Sequence, residues 1–413
     1  MLKREKKFNY PTNKNNMKSM IFSILTAMVL SLSCSKNGSG TNVDVTPTIS
    51  ISSVSLSEGN TGFTVFPFKV TLSKATSNIV TVNFKTSDAT AIAGKDYVAQ
   101  NGTVTIPANT TEGVININVI ADTIRSLDKT FLITLSSPQN AILGTDVNTG
   151  TILNDDNYVA VSDAGYSTPK TYPGYTLNYA DEFTGKDLDA NVWGYDTGGN
   201  GWGNAELENY TARNQNSFIS SPGYLVIEAR QESFGGNNYT SARILSQNKK
   251  TFTFGRIDIR AKIPTSKGMW PALWMLGDNI TTNGWPNCGE IDIEEVIGKL
   301  PNTLYGTMHW GPKGATGSTS SGNNYVLKSG TYEDQFHVYS IVWQQDSIKW
   351  YVDDILYHST TSNDVKNSNY PFNSPFFFIF NLAVGGNWPG PPDASTTFPQ
   401  RMFIDYVRVF KKN

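Results

Sequence analysis

Cysteine and histidine are nearly absent from this chain. Its 413 residues include two cysteines, Cys34 and Cys288, and three histidines, His309, His337 and His358. None of the five stands at metal-ligand spacing, which argues against a catalytic zinc centre. Charge is also sparse, at 16% of residues with a net charge of −2, and gives no basic footprint for nucleic acid. No segment recurs at a solenoid period. The apolar run Met20 to Leu32 is too short to cross a bilayer as a stable helix. The length admits two or three domains.

Alternating β-type stretches separated by Gly, Asn, Asp and Pro turns are abundant. The most informative lies at Gly289 to Gly298, where Glu290, Asp292, Glu294 and Glu295 alternate with Ile291 and Ile293. In a regular strand Glu290, Asp292 and Glu294 share one face, and Glu295 falls on the apolar side. One extra residue, a β-bulge, turns Glu295 back onto the carboxylate face and expels Glu294. A solvated strand face or a set of calcium ligands would also read this way. Paired carboxylates are, however, what glycoside hydrolysis requires, one as protonated acid and the other as nucleophile or base.

The surroundings favour that chemistry. Trp270, Trp274 and Trp285 precede the acidic row among turn residues, and His309 follows it beside Trp310. Any single tryptophan is more often core than function. A cluster of them offers flat faces on which sugar rings stack, with nearby polar groups to fix hydroxyls.

Residues 172 to 412 resemble glycoside hydrolase family 16, in particular its laminarinase-like members. The resemblance rests on Gly201-Trp202-Gly203-Asn204-Ala205-Glu206-Leu207, Phe254-Gly255-Arg256, Trp270-Pro271-Ala272-Leu273-Trp274-Met275, the acidic row, His309-Trp310 and Ile404-Asp405-Tyr406-Val407-Arg408-Val409. It implies a retaining endo-β-1,3-glucanase on an all-β jelly-roll sandwich, needing no cofactor for catalysis and acting on β-glucan. The family's Glu-x-Asp-x-x-Glu pattern falls on Glu290 as nucleophile, Asp292 as helper and Glu295 as acid/base. The residue before the acid/base is commonly Met in this subgroup. Here it is Glu294, so the chain also spells the unbulged pattern of lichenase-like relatives; the flanking Gly289 and Gly298 favour the bulged register. Trp270, Trp274 and Trp285 are expected to stack on sugar, with Asn204, Arg256 and His309 as hydrogen-bonding candidates. Arg260 alternates with Ile257 and Ile259 as the polar face of a strand would, and His337 and His358 read as structural. The resemblance also implies a structural Ca2+ held by Glu182, the Gly223 carbonyl and Asp405. Mixed-linkage glucan or marine galactan hydrolysis, and non-catalytic carbohydrate binding or adhesion, remain the alternatives.

Residues 47–157 read as an immunoglobulin-like β-sandwich and resemble a Calx-β domain through Ser57-Glu58-Gly59, Thr86-Ser87-Asp88-Ala89-Thr90-Ala91, Gly94-Lys95-Asp96-Tyr97, Gly102-Thr103-Val104 and Asn154-Asp155-Asp156. That resemblance puts forward Glu58, Asp122 and Asp155 as calcium ligands, although a spacer role is the stronger expectation. Residues 158–171 read as a linker to the catalytic domain, 172–413. Upstream, Lys3, Arg4, Lys6, Lys7, Lys14 and Lys18 precede the apolar run as in a signal peptide, residues 1–34. Ser31-Leu32-Ser33-Cys34 resembles a bacterial lipobox, and Met17 is an alternative start. Lipidation of Cys34 would leave 35–46 as a flexible tether and Cys288 without a partner. The expectation is an exported, outer-membrane lipoprotein of the bacterial cell envelope, monomeric and anchored to the membrane by lipid, with simple secretion as the alternative.

Overall fold

The computed structural model describes residues 46–413 apart from 222, 313–316 and 366–368. The signal segment, Cys34 and all of the tether but Thr46 lie outside the described residues. From Pro47 onward the chain forms one compact unit, built almost wholly of strands. Its one α-helix among the described residues is the single turn Ile280–Asn283.

The N-terminal module is a two-sheet sandwich. One sheet runs in the order Glu112–Ile120, Phe63–Leu72, Thr48–Ile51 and Ile142–Leu143. The other runs Val54–Ser57, Val147–Leu153, Lys129–Gln139, Val80–Asp88 and Asn101–Ile106. Period-two alternation turns Phe66, Phe68, Ile115, Ile117 and Phe131 inward. Tyr97 stacks on Phe131 with ring centroids 4.5 Å apart.

The C-terminal sandwich is larger. Its seven-stranded sheet runs Gly194–Asp196, Arg243–Leu245, Phe376–Val384, Met269–Gly277, Glu290–Val296, Thr303–Trp310 and Thr319–Val326. Behind it lies a ten-stranded sheet that includes Gly255–Lys262, Gln400–Lys412 and His337–Gln344. Leu273, Ile291, Ile293, Phe378 and Phe380 from the first sheet and Ile257, Ile259, Ile341, Val407 and Val409 from the second form one core. Phe376–Val384 is buried at every position because both of its faces are covered. One packs on that core; the other places Phe377 and Ile379 against Leu245, Leu276 and Cys288. Cys288 is a buried free thiol.

Residues 158–171, expected as a linker, run as a strap fastened to the ten-stranded sheet. Val159 is buried with Phe218, Tyr224, Phe336 and Phe403, Asp163 accepts from Arg260 at 2.5 Å, and Thr168 bonds Tyr406 at 2.8 Å. The first sandwich is also tied to the second. Its Arg125, 6% exposed, reaches Glu228 Oε2 at 3.3 Å and the carbonyls of Asn214 and Gln215 at 2.8 and 3.2 Å. It also lies 3.6 Å over the Phe218 ring. A guanidinium is tolerated at such depth only when its donors are matched.

Candidate active site

Glu290–Val296 is a central strand of the seven-stranded sheet, and its pairing reveals a bulge. Against one neighbour, Trp274 pairs with Asp292 but Leu273 pairs with Glu294; against the other, Asp292 faces Thr307 while Glu295 faces Tyr305. Ile293 is the extra residue. The shift sends Ile293 and Glu294 inward and brings Glu290, Asp292 and Glu295 together on the open face. Glycines at both ends permit this path. Gly289 has φ of +82°, and a Cβ on Gly298 would lie 1.8 Å from the Ser266 carbonyl oxygen.

The three carboxylates line a cleft of about 680 Å3. Trp285 Nε1 donates to Glu290 Oε2 at 2.8 Å, and Trp270 Nε1 to Glu295 Oε1 at 3.0 Å. His309 Nε2 stands 3.3 Å from Asp292 Oδ2 and 3.8 Å from Glu290 Oε1. Burial, then the Asp292 charge, pushes Glu290 up to about 8, while His309 and Trp285 act the other way. Burial pushes Asp292 up to about 8. Glu295 is raised well above the carboxylate range by burial and then by Asp292 and Glu290. Such a row cannot carry three charges, so it retains protons where ordinary carboxyls have lost them.

Of the expected substrate-contacting residues, Asn204, Trp270, Trp274, Trp285 and His309 all line this cleft. Arg256 does not. Its strand, Gly255–Lys262, belongs to the ten-stranded sheet, where Ile257 and Ile259 take the inner face. Arg256 pairs with Asp258 at 2.8 Å and with Asp354, and lies 4.3 Å from the Tyr172 ring centroid. Arg260 is held by Asp163 and Asp405. His337 bonds Asp353 at 2.7 Å, and His358 packs on Trp350.

The cleft also contains Trp202, Glu206, Arg243, Tyr305, Asn381 and Trp388, which were not singled out as site residues. Trp388 sits in Gly385-Gly386-Asn387-Trp388-Pro389-Gly390, the same tryptophan-among-turn-residues signal that marked Trp285. Arg243 and Asn381 carry no local signal, because tertiary packing brings their strands beside the acidic one.

The calcium expectations fare unequally. Glu182 receives both Nε and Nη2 of Arg408, at 2.6 and 2.8 Å, and Asp405 receives Arg260 at 2.8 Å. Gly223 packs beside Phe183 and Thr184. Guanidinium groups thus neutralise both carboxylates, and this trio does not fit a cation in the structure. In the first sandwich, Glu58, Asp122 and Asp156 bring ligand oxygens within 4.8 Å of one another. Asp156 replaces the expected Asp155, whose Oδ1 instead faces the Gly59 amide at 3.3 Å. Burial first, then Asp122, raises Glu58 to about 7, with Lys129 opposing.

Comparison with known proteins agrees with this geometry. The model for glycosyl hydrolases family 16 matches residues 205–408, and the Calx-beta domain model matches 43–156. A beta-glucanase of Rhodothermus marinus is 41% identical over 249 residues, covering 58% of this chain and 86% of that protein. The chain belongs to glycosyl hydrolases family 16. It is a glycoside hydrolase. The glucan endo-1,3-beta-glucosidase A1 of Niallia circulans is 40% identical over 271 residues, which are 60% of the hydrolase but 39% of that longer relative. Among solved structures, the laminarinase catalytic domain of Thermotoga maritima is 44% identical with a TM-score of 0.54, covering 58% of the hydrolase and 99% of that chain.

Proposed function

We propose that the hydrolase is a retaining endo-β-1,3-glucanase, on the strength of a bulge that lines up Glu290, Asp292 and Glu295 beneath a tryptophan-walled cleft. Glu290, oriented by Trp285, attacks the anomeric carbon while Glu295, oriented by Trp270, gives its proton to the departing glycosidic oxygen. Asp292 stands between them, and the negative charge carried by the Glu290 and Asp292 side of the row helps keep Glu295 protonated. Glu295 then draws a proton from water, and the resulting nucleophile frees the sugar from Glu290. No cofactor enters these steps. The relatives named for endo-1,3-β-glucan cleavage support laminarin-type glucan as the substrate. Proton NMR of early laminarin products should show the β anomer first; an initial α anomer would exclude the double displacement. Preferred cleavage of lichenan or agarose would move the substrate to mixed-linkage glucan or galactan, and binding without cleavage would make the protein a lectin.

Calcium is proposed for the Glu58, Asp122 and Asp156 cluster. Hard carboxylate oxygens suit the ion, Asp156 Oδ2 meets no donor among the described residues, and a dication would relieve the crowding that raises Glu58. Added Ca2+ should raise the melting temperature and Asp122→Asn should abolish the effect; melting indifferent to Ca2+ would remove the site. The proposal also includes a monomeric state, and export with lipid anchoring at Cys34, the latter two supported by the basic-then-apolar N-terminal pattern and the lipobox-like Ser31-Leu32-Ser33-Cys34. Mass spectrometry of the mature N-terminus separates a diacylglyceryl Cys34 from simple cleavage.

A further inference from the structure

Beside the acidic row, a second pair of carboxyl groups serves no step of the hydrolysis. Glu206 and Glu208 are 7% and 0% exposed. Both oxygens of Glu206 accept hydrogen bonds, from Tyr210 Oη at 2.9 Å and from Asn204 Nδ2 at 3.2 Å. Glu208 Oε2 accepts the Val384 amide at 2.6 Å, and its Oε1 has no protein donor among the described residues.

From Glu206 a chain of hydrogen bonds leads to the cleft wall. Tyr210 Oη, which donates to Glu206, accepts from Asn381 Nδ2 at 3.2 Å, and Asn381 Oδ1 accepts from Trp274 Nε1 at 2.7 Å. Every donor in this chain points toward Glu206. Such a one-way chain is completed by a negative charge at its end, which assigns the charge to Glu206 and a proton to Glu208. Two adjacent buried carboxyls cannot both ionise cheaply.

We propose that Glu206 and Glu208 form a proton-sharing pair that, through Tyr210 and Asn381, positions the Trp274 indole and thereby sets affinity for the sugar stacked on it. These are positioning residues, and the inference rests on the glucanase reading of the cleft. Burial and then the Glu206 charge hold Glu208 well above the carboxylate range, in the direction that sharing requires. Burial above all holds Tyr210 neutral. The cation facing this group from the neighbouring strand is Arg243, which is paired with Asp196 at 3.0 Å and lies 4.8 Å from the Trp274 ring centroid.

The consequence is an affinity that depends on pH. As pH rises past the point where Glu208 loses its proton, two adjacent buried carboxylates repel, Glu206 is pushed off its bond to Tyr210, and the hold that Tyr210 and Asn381 keep on Trp274 is lost. Laminarihexaose affinity can be titrated by calorimetry in the Glu295→Gln protein, where no turnover intervenes. The expected result is a Kd that weakens about tenfold between about pH 6 and pH 9.5, equivalent to about 1.4 kcal/mol. Adding Glu208→Gln, whose amide donates to Glu206 at any pH, should reduce that dependence to about twofold. Glu290 and Asp292 titrate in both proteins, so the difference isolates Glu208. In the active protein, Tyr210→Phe should raise KM for laminarin about tenfold with kcat little changed, provided its melting stays cooperative. Identical pH dependence with and without Glu208→Gln, or equal losses in kcat and kcat/KM for Tyr210→Phe, would overturn the inference. Absence of laminarin cleavage by the unsubstituted protein would instead overturn the glucanase reading.

Discussion

Replacing Glu295 by glutamine is expected to lower kcat on laminarin by about 10²–10⁴-fold, the range associated with loss of a general acid–base group, whereas Glu294→Gln should leave most of the activity. The two side chains are sequence neighbours with the same chemistry. The bulge at Ile293 separates them: Glu295 faces the cleft with Trp270 on its Oε1, and Glu294 is fully buried on the core side. KM should change little in Glu295→Gln, since the amide can still accept from Trp270, and a substrate with an activated phenolic leaving group should recover much of the first step. If Glu294→Gln proves the inactive variant, the strand adopts the unbulged register and the acid/base assignment is wrong.

Glu294→Met should stabilise the protein. Among the described residues neither Glu294 oxygen meets a hydrogen-bond partner, and its carboxyl is held far above the usual range by burial and then by Glu295. Methionine is of similar length and has no such group to desolvate. Exchanging an unmatched buried polar group for apolar packing is expected to gain about 1–3 kcal/mol, or several degrees in melting temperature. The gain should depend on pH. In the unfolded chain Glu294 loses its proton near its ordinary value; in the folded protein it keeps it. The unfolded state therefore binds fewer protons over that interval, and the parent loses stability as pH rises through it. The advantage of Glu294→Met should be smallest near pH 4 and should grow toward neutrality. Thermal unfolding from pH 4 to 8 measures it. A variant less stable than the parent at every pH would show that the carboxyl is well solvated by internal water.

The two halves of the acidic row differ in how legible they were. Glu290, Asp292, Ile291 and the flanking glycines signalled a half-buried strand with a purpose, because alternation on a strand is local and acidic side chains are costly to hide. Between Glu294 and Glu295 the flanking glycines favoured Glu295 but left the unbulged register open. A bulge is set by which residues the neighbouring strands present, and the pairing with Leu273, Trp274, Tyr305 and Thr307 decides it. Arg256 shows the opposite failure. It lies in a segment characteristic of the family and on a strand of the expected period, but a polar side chain on a strand can face either an active cleft or open solvent. The sheet to which the strand belongs settles the matter. Residues 158–171 carried the Gly, Ser and Pro signs of a linker, yet Val159 and Thr168 are buried by contacts with strands far along the chain.

The sequence by itself determined the two all-β sandwiches, the strand that carries the acids and the tryptophans around them, because alternation, turn residues and stacking chemistry are properties of short segments. The tertiary structure settled the register at Ile293, which the sequence only favoured, and alone decided the placement of Arg125 in the neighbouring sandwich and the convergence of Glu206, Tyr210, Asn381 and Trp274. Each of these joins residues from separate strands, and the free energy that fixes them comes from matching buried polar groups across sheets, where no single segment contains both partners.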